Sequence, residues 1–158
     1  MSASLENHDG PTGNINNQGI WAKIYNIQSK IWLTNEPFNV NQVSEGGQTE
    51  SATVALTGLK FLIAFYTDSG YIKTRMWTPS SSSDVTTNTW TAGNEESVNS
   101  IIVYARGYLR WLKMPKESKV LLTWNHYDTS EKINKIWGQF YHENTGSKIG
   151  PAKILLTR

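Results

Sequence analysis

A six-residue strand pattern occurs three times in this chain of 158 residues, and it constrains the fold more than any other feature. The copies are Ile20-Trp21-Ala22-Lys23-Ile24-Tyr25, Ile72-Lys73-Thr74-Arg75-Met76-Trp77 and Ile136-Trp137-Gly138-Gln139-Phe140-Tyr141. In each copy positions one and five are apolar, position six is aromatic, and positions three and four are small or polar. Apolar residues at a period of two belong to a strand that buries one face. The surroundings recur as well. Lys60-Phe61-Leu62-Ile63-Ala64-Phe65 precedes the second copy and Lys119-Val120-Leu121-Leu122-Thr123-Trp124 precedes the third, and Asp68 and Asp128 follow these runs. The copies start at residues 20, 72 and 136, giving intervals of about 52 and about 64 residues. Each interval holds about four expected strands, which is the size of one propeller blade.

Composition narrows the choices. The length suits one domain and buries a core without disulfides or metals. There is no Cys, which excludes a disulfide scaffold, thiol catalysis and Cys-based zinc sites. The net charge of +2 argues against a dedicated nucleic-acid binder. No apolar run is long enough to span a bilayer, and no secretory leader opens the chain. If the protein is exported, the expectation is a mature form or a fragment behind an added Met1. Seven Trp and seven Tyr, with abundant Asn, Thr and Ser, favour strands and turns over helices.

Along the chain, residues 1–19 are polar and rich in Gly and Asn. They are expected to form an extended arm, with a short strand near Ile15, or else a strand closing the fold against the C-terminus. Residues 20–158 are expected to form a single all-β repeat domain. Ile31-Trp32-Leu33 and Phe38-Asn39-Val40 are short apolar pieces on either side of Asn35-Glu36-Pro37. Thr57-Gly58 predicts a tight hairpin turn, and Phe61 to Phe65 is apolar on both faces, which predicts a central strand. Asp68-Ser69-Gly70, Ala92-Gly93-Asn94 and Glu143-Asn144-Thr145-Gly146 predict turns, and residues 148–156 a final strand. Residues 98–114 carry both a helical stripe and a β-branched start. The repeat favours a hairpin there, turning at Arg106-Gly107.

Asn35-Glu36-Pro37-Phe38-Asn39-Val40-Asn41, the Gly46-Gly47-Gln48 loop, the strand from Ser51 to Leu56 and the run from Lys60 to Phe65 together resemble a repeat of large bacterial secreted and surface proteins. Ile136-Trp137-Gly138-Gln139-Phe140-Tyr141 and the segment from Gly146 to Leu156 are similar to its last strand and sequel. The resemblance implies β-propeller-like blades of the kind found in adhesins and calcium-associated exoproteins. Where that repeat has Asp-Gly in its hairpin, Thr57-Gly58 stands here, and no glycine-aspartate nonapeptide is present.

Flat aromatic rings stack on sugars, so the Trp residues are the first candidates for a binding site. Trp21, Trp77, Trp124 and Trp137 occupy recurring strand positions and are expected in the core. Trp32, Trp90 and Trp111 lie outside the recurring pattern and are the candidate ligand contacts. Tyr108 and Arg110 join them, from a basic cluster that also holds Arg106, Lys113, Lys116 and Lys119. Basic residues among aromatics serve single-stranded nucleic acid or guard a sheet edge against aggregation, and the edge role is favoured. His8, His126 and His142 are expected as solvated turn residues, with no metal site and no cofactor. No nucleophile motif, phosphate loop or carboxylate pair stands out.

The expectation is therefore a non-catalytic, all-β protein of antiparallel, blade-like sheets, with a β-trefoil or β-barrel as the alternative fold. The expected role is binding or adhesion in a secreted or surface setting, with a glycan or another surface ligand as partner. The rival is a structural subunit that pairs through sheet edges. Two and a fraction units cannot close a propeller, so a homo-oligomer or a larger assembly is expected.

Overall fold

The computed structural model describes residues 2–9, 18–26, 29–34, 37–40, 50–67, 69–80, 90–98 and 108–157, with side chains from residue 20 onward. All-β is the outcome. Three antiparallel sheets follow one another along the chain. In the first, β1 (Ser2–Asp9) lies along one side of β2 (Gln18–Asn26), while the short strands β3 (Ile31–Trp32) and β4 (Phe38–Asn39) share the other. The second is a meander of β5 (Ser51–Ala55), β6 (Phe61–Tyr66), β7 (Ile72–Pro79) and β8 (Trp90–Ser97). The third repeats it with β9 (Arg110–Met114), β10 (Lys119–Asp128), β11 (Ile133–His142) and β12 (Lys148–Thr157).

The sheets do not close into a barrel, because each keeps its own edge strands. That outcome removes the β-barrel alternative. Three sheets are present rather than two and a fraction, since Ser2–Asp9 supplies the outer strand of the first one. The position near Ile15 lies outside the described residues, as do Asn35, Glu36, the Gly46-Gly47-Gln48 loop, Asp68 and residues 99–107 with the Arg106-Gly107 turn. Of the ambiguous stretch, Arg110–Met114 is strand.

Two apolar clusters hold the sheets together. Ile20, Ala22, Ile24, Leu33 and Val40 of the first sheet meet Phe61, Ile63, Phe65 and Trp77 of the second. Leu62, Ala64, Tyr66 and Ile72 of the second, with Val54 and Leu56, meet Leu109, Val120, Leu122, Trp124 and Tyr141 of the third. The second sheet is thus the middle layer. Every residue of β6 is buried, odd positions toward the first sheet and even positions toward the third. A strand covered on both faces reads as a continuous apolar run, as this one does.

The turns follow from local chemistry. Thr57–Leu59 is a 3-10 turn with Gly58 at φ 74 and Leu59 at φ 64, closed by the Leu56 N–H donating to the Lys60 carbonyl at 2.8 Å. Gly146 ends the β11–β12 turn at φ 69, and a Cβ there would lie 2.9 Å from Met76 Sδ. This glycine serves both the turn and the close approach of the third sheet to the second. Ala92-Gly93-Asn94 does not turn; it lies inside β8, where a register shift between Arg75 and Trp77 absorbs the glycine. A bulge explains what local turn signals misread.

Polar contacts reinforce the layers. The Trp111 indole N–H donates to the Ala52 carbonyl at 3.1 Å. Lys113 pairs with Glu143 at 2.7 Å, and Lys60 Nζ donates to the Asn144 carbonyl at 3.1 Å. Lys148 Nζ donates to the Ser97 carbonyl. Arg75 Nη1 donates to the Val40 carbonyl at 2.8 Å between the first and second sheets, and its Nε donates to the Gly93 carbonyl at 2.8 Å within the second.

Candidate functional site

Alternation within the recurring six-residue pattern sets which side chains face out. Positions one, three and five point to the following sheet: Ile20, Ala22 and Ile24 to the second, Ile72, Thr74 and Met76 to the third. Positions two, four and six point to the preceding sheet, as Trp77 does toward the first and Trp137 and Tyr141 toward the second. The first sheet therefore turns Trp21, Lys23 and Tyr25 outward. The third turns Ile136, Gly138 and Phe140 outward. These two outer faces are the candidate interaction surfaces.

The face of the first sheet is aromatic and cationic. Tyr25 and Trp32 are register partners on β2 and β3, and their rings lie 5.0 Å apart at 59°. The Lys23 ammonium sits 5.0 Å from the Trp32 ring centre, a cation–π contact. Trp32 is 48% exposed, so a flat ring remains available to a ligand. Trp21 shares this face. It is half-buried with its indole nitrogen covered, yet it joins neither apolar cluster, so the expectation that it belongs to the core does not hold.

The face of the third sheet carries an apolar patch bordered by Thr123 and the exposed Asn125. Leu121 pairs with Phe140 and with Leu112, and Ile136 pairs with Leu156. Leu112 is 56% exposed, Leu155 44% and Leu156 43%. Gly138 lies beneath Leu121 and Leu155; a Cβ at this position would meet their methyl groups at 2.9 and 2.6 Å. The register shift between Ile136 and Trp137 places Leu155 on this side. The buried Gln139 side chain donates to the Phe140 and Gly150 carbonyls at 2.9 Å each, filling the gap left by the second shift.

The five residues expected to contact a ligand separate in space. Trp32 stands on the face of the first sheet. Trp90 is half-buried at the edge of the middle sheet, 5.3 Å from Phe61, with its indole nitrogen buried and unpartnered. Trp111 is also half-buried; its ring meets Tyr141 edge-on at 5.4 Å and its N–H is used on Ala52. Tyr108 is 68% exposed and carries the Arg110 guanidinium 5.1 Å from its ring, while Arg110 also donates to the Leu109 carbonyl at 2.8 Å. Burial raises the Glu50 carboxyl above its ordinary value, against the opposing pull of Arg110 and a backbone hydrogen bond from Leu109. Arg110, Lys113 and Met114 belong to β9, an edge strand, as the anti-aggregation role requires. Sequence reasoning missed Lys23 and Tyr25, and the outward Leu112, Leu121, Phe140, Leu155 and Leu156. The alternation of the third copy places its positions one and five on one face, and the order of the described sheets leaves that face uncovered.

The remaining charged cluster is structural. Asp128 Oδ1 accepts from the Ser130 N–H at 3.0 Å, the Ser130 hydroxyl at 2.6 Å and the Glu131 N–H at 3.1 Å, while Oδ2 accepts from Lys135 Nζ at 2.8 Å. Lys135 also pairs with Glu131 at 3.0 Å. These bonds, led by that from Lys135, hold the Asp128 carboxyl well below its ordinary 3.8. A carboxyl lowered on folding stabilises the fold above its unfolded value and loses that contribution as pH falls. Thermal melts of Asp128→Asn and of the parent chain should therefore differ most near neutrality and converge as pH drops below 3.8. A constant gap would contradict this role. The Lys135 ammonium is raised above its ordinary 10.5 chiefly by Asp128, so its contribution is complete below 10.5 and is lost as pH rises through its own raised value.

Among the described residues no group of His, Asp and Glu could hold a metal ion, and no helix is long and apolar enough to cross a membrane. His126 is buried rather than solvated, because it occupies an inward position of β10. No family model, curated protein or solved structure matches this chain.

Proposed function

We propose that this chain is a non-catalytic binding domain of a secreted or surface protein, acting through the two outer faces of its sheet stack. The observation that carries this is the exposure of Trp32 on one face together with Leu112, Leu155 and Leu156 on the other. Exposed apolar groups gathered on one sheet face mark a contact surface. Its character is adhesive, in keeping with the blade-like repeat that the sequence resembles.

Carbohydrate is the ligand class that the first face favours. A sugar ring stacks on a flat aromatic face, and Trp32 offers one beside Tyr25 and Lys23. A glycan array should show saturable retention, and Trp32→Ala should weaken it by roughly ten-fold or more, the scale of an aromatic anchor. Retention unchanged by Trp32→Ala would defeat the sugar-platform role.

The rival, assembly through sheet edges, fits less well. The edge strand β12 carries Pro151 and Lys153 and is kinked by two register shifts. Such features blunt an edge against pairing. Faces, rather than edges, are the better surface for assembly.

A further inference from the structure

The two open faces are related to one another. We infer that the outer face of the third sheet packs on the outer face of the first sheet of a second copy, so that two chains close a ring of six sheets. This inference rests on the binding-domain reading and names a second copy as the partner; a second copy and a sugar compete for the Trp32 face, so glycan retention through Trp32 belongs to the single-copy state.

The internal contacts supply the template. In the middle sheet, Leu62 pairs with Met76, Tyr66 with Ile72, and Val54 with Leu62, and this set faces the third sheet. In the third sheet, Leu121, Phe140, Ile136 and Leu112 hold the corresponding register positions. Leu121 stands for Leu62, Phe140 for Met76, Ile136 for Ile72 and Leu112 for Val54. Asn125, the partner of Ile136, stands where Tyr66 does, and Thr123 stands where Ala64 does. Part of the set that meets a following sheet is thus built again in apolar residues, on a face that none of the described sheets covers. On the first sheet, Trp21, Lys23 and Tyr25 hold the positions that Lys73, Arg75 and Trp77 use against a preceding sheet. Among the described residues, each end of the stack shows a face of the kind that the other end would meet.

In a two-copy ring each face meets the other kind once, and a twofold axis relates the two contacts, the commonest closed symmetry. Closed arrangements of four-stranded sheets hold roughly four to eight. The described residues of one chain supply three sheets, too few, and those of three chains would supply nine. Two chains supply six. Repeat folds need such terminal cover, because an uncapped end leaves an apolar face in water.

The test uses sedimentation of the full chain at micromolar concentration, with Leu112→Glu and Leu156→Glu on one face and Trp32→Glu on the other. All three positions are well exposed, so the variants should keep their strand circular dichroism and melting behaviour. The parent chain should sediment as two copies. Each variant alone should dissociate, its dissociation constant rising roughly ten-fold or more. An equimolar mixture of Leu112→Glu and Trp32→Glu should form one-to-one pairs, because one unaltered contact remains between them. A dimer lost in Leu112→Glu but kept in Trp32→Glu would mean that like faces meet, and would overturn the inference. So would open filaments, or a mixture that fails to pair. A single-copy parent chain that still binds glycans through Trp32 would overturn the second copy and leave the binding domain standing. A single-copy chain with no glycan retention would end both.

Discussion

Phe65→Ala should cost about 3–5 kcal/mol of folding stability, the range for deleting a buried aromatic side chain. Phe65 is fully buried, at 0% exposure, in the cluster that joins the first and second sheets. It lies on β6, which has a neighbour on each side within its own sheet and a sheet on each face. Little around it can collapse into the vacated space, because interiors pack at crystal density. Urea titration should show a lower midpoint with an unchanged slope. A loss under about 1 kcal/mol would mean that the cavity closes or refills, as it would at a loosely covered site.

Trp124→Ala should match it on the other side of the middle sheet, again at about 3–5 kcal/mol. Trp124 is 2% exposed in the cluster that joins the second and third sheets, and its ring stacks on Trp137 at 6.5 Å and 13°. The indole presses on the middle sheet from the centre of the third. Phe65 and Trp124 belong to different clusters on opposite sides of β6. Their effects should therefore add to within about 0.5 kcal/mol. The gentler pair Phe65→Leu and Trp124→Phe keeps the double variant folded for that comparison. Strong coupling between them would mean that the clusters form one core, against the layered arrangement.

Much of this was legible in the residues. The run Phe61-Leu62-Ile63-Ala64-Phe65 announced a strand with two covered faces, and β6 is that strand. Glu143-Asn144-Thr145-Gly146 announced a turn, and Gly146 sits there with positive φ. Failures came where neighbours, not local pattern, decide. Ala92-Gly93-Asn94 carries turn chemistry, but pairing with β7 draws it into a bulged strand. Ser2–Asp9 is too polar to announce a strand, and its pairing with β2 makes it one. Trp111 lies outside the recurring pattern, but its strand position turns the ring onto Tyr141 and Ala52. The candidate surface was hardest to read. Strand alternation reveals that Ile136 and Phe140 share a face, but only the order of the sheets reveals that none of the described ones covers it.

Thiol labelling of single cysteines tests the three-layer stack most directly, since the chain has no Cys of its own. The substitutions would run along β2, β6 and β10, at a dilution where the chain sediments as one copy. On β6, Ile63→Cys and Ala64→Cys should both resist labelling, for these positions are 1% and 0% exposed toward opposite sheets. On β10, Leu122→Cys should resist while Asn125→Cys reacts, and on β2, Ala22→Cys should resist while Lys23→Cys reacts. Alternating reactivity along β6, or uniform protection along β2 and β10, would contradict a stack with the second sheet in the middle and two open faces.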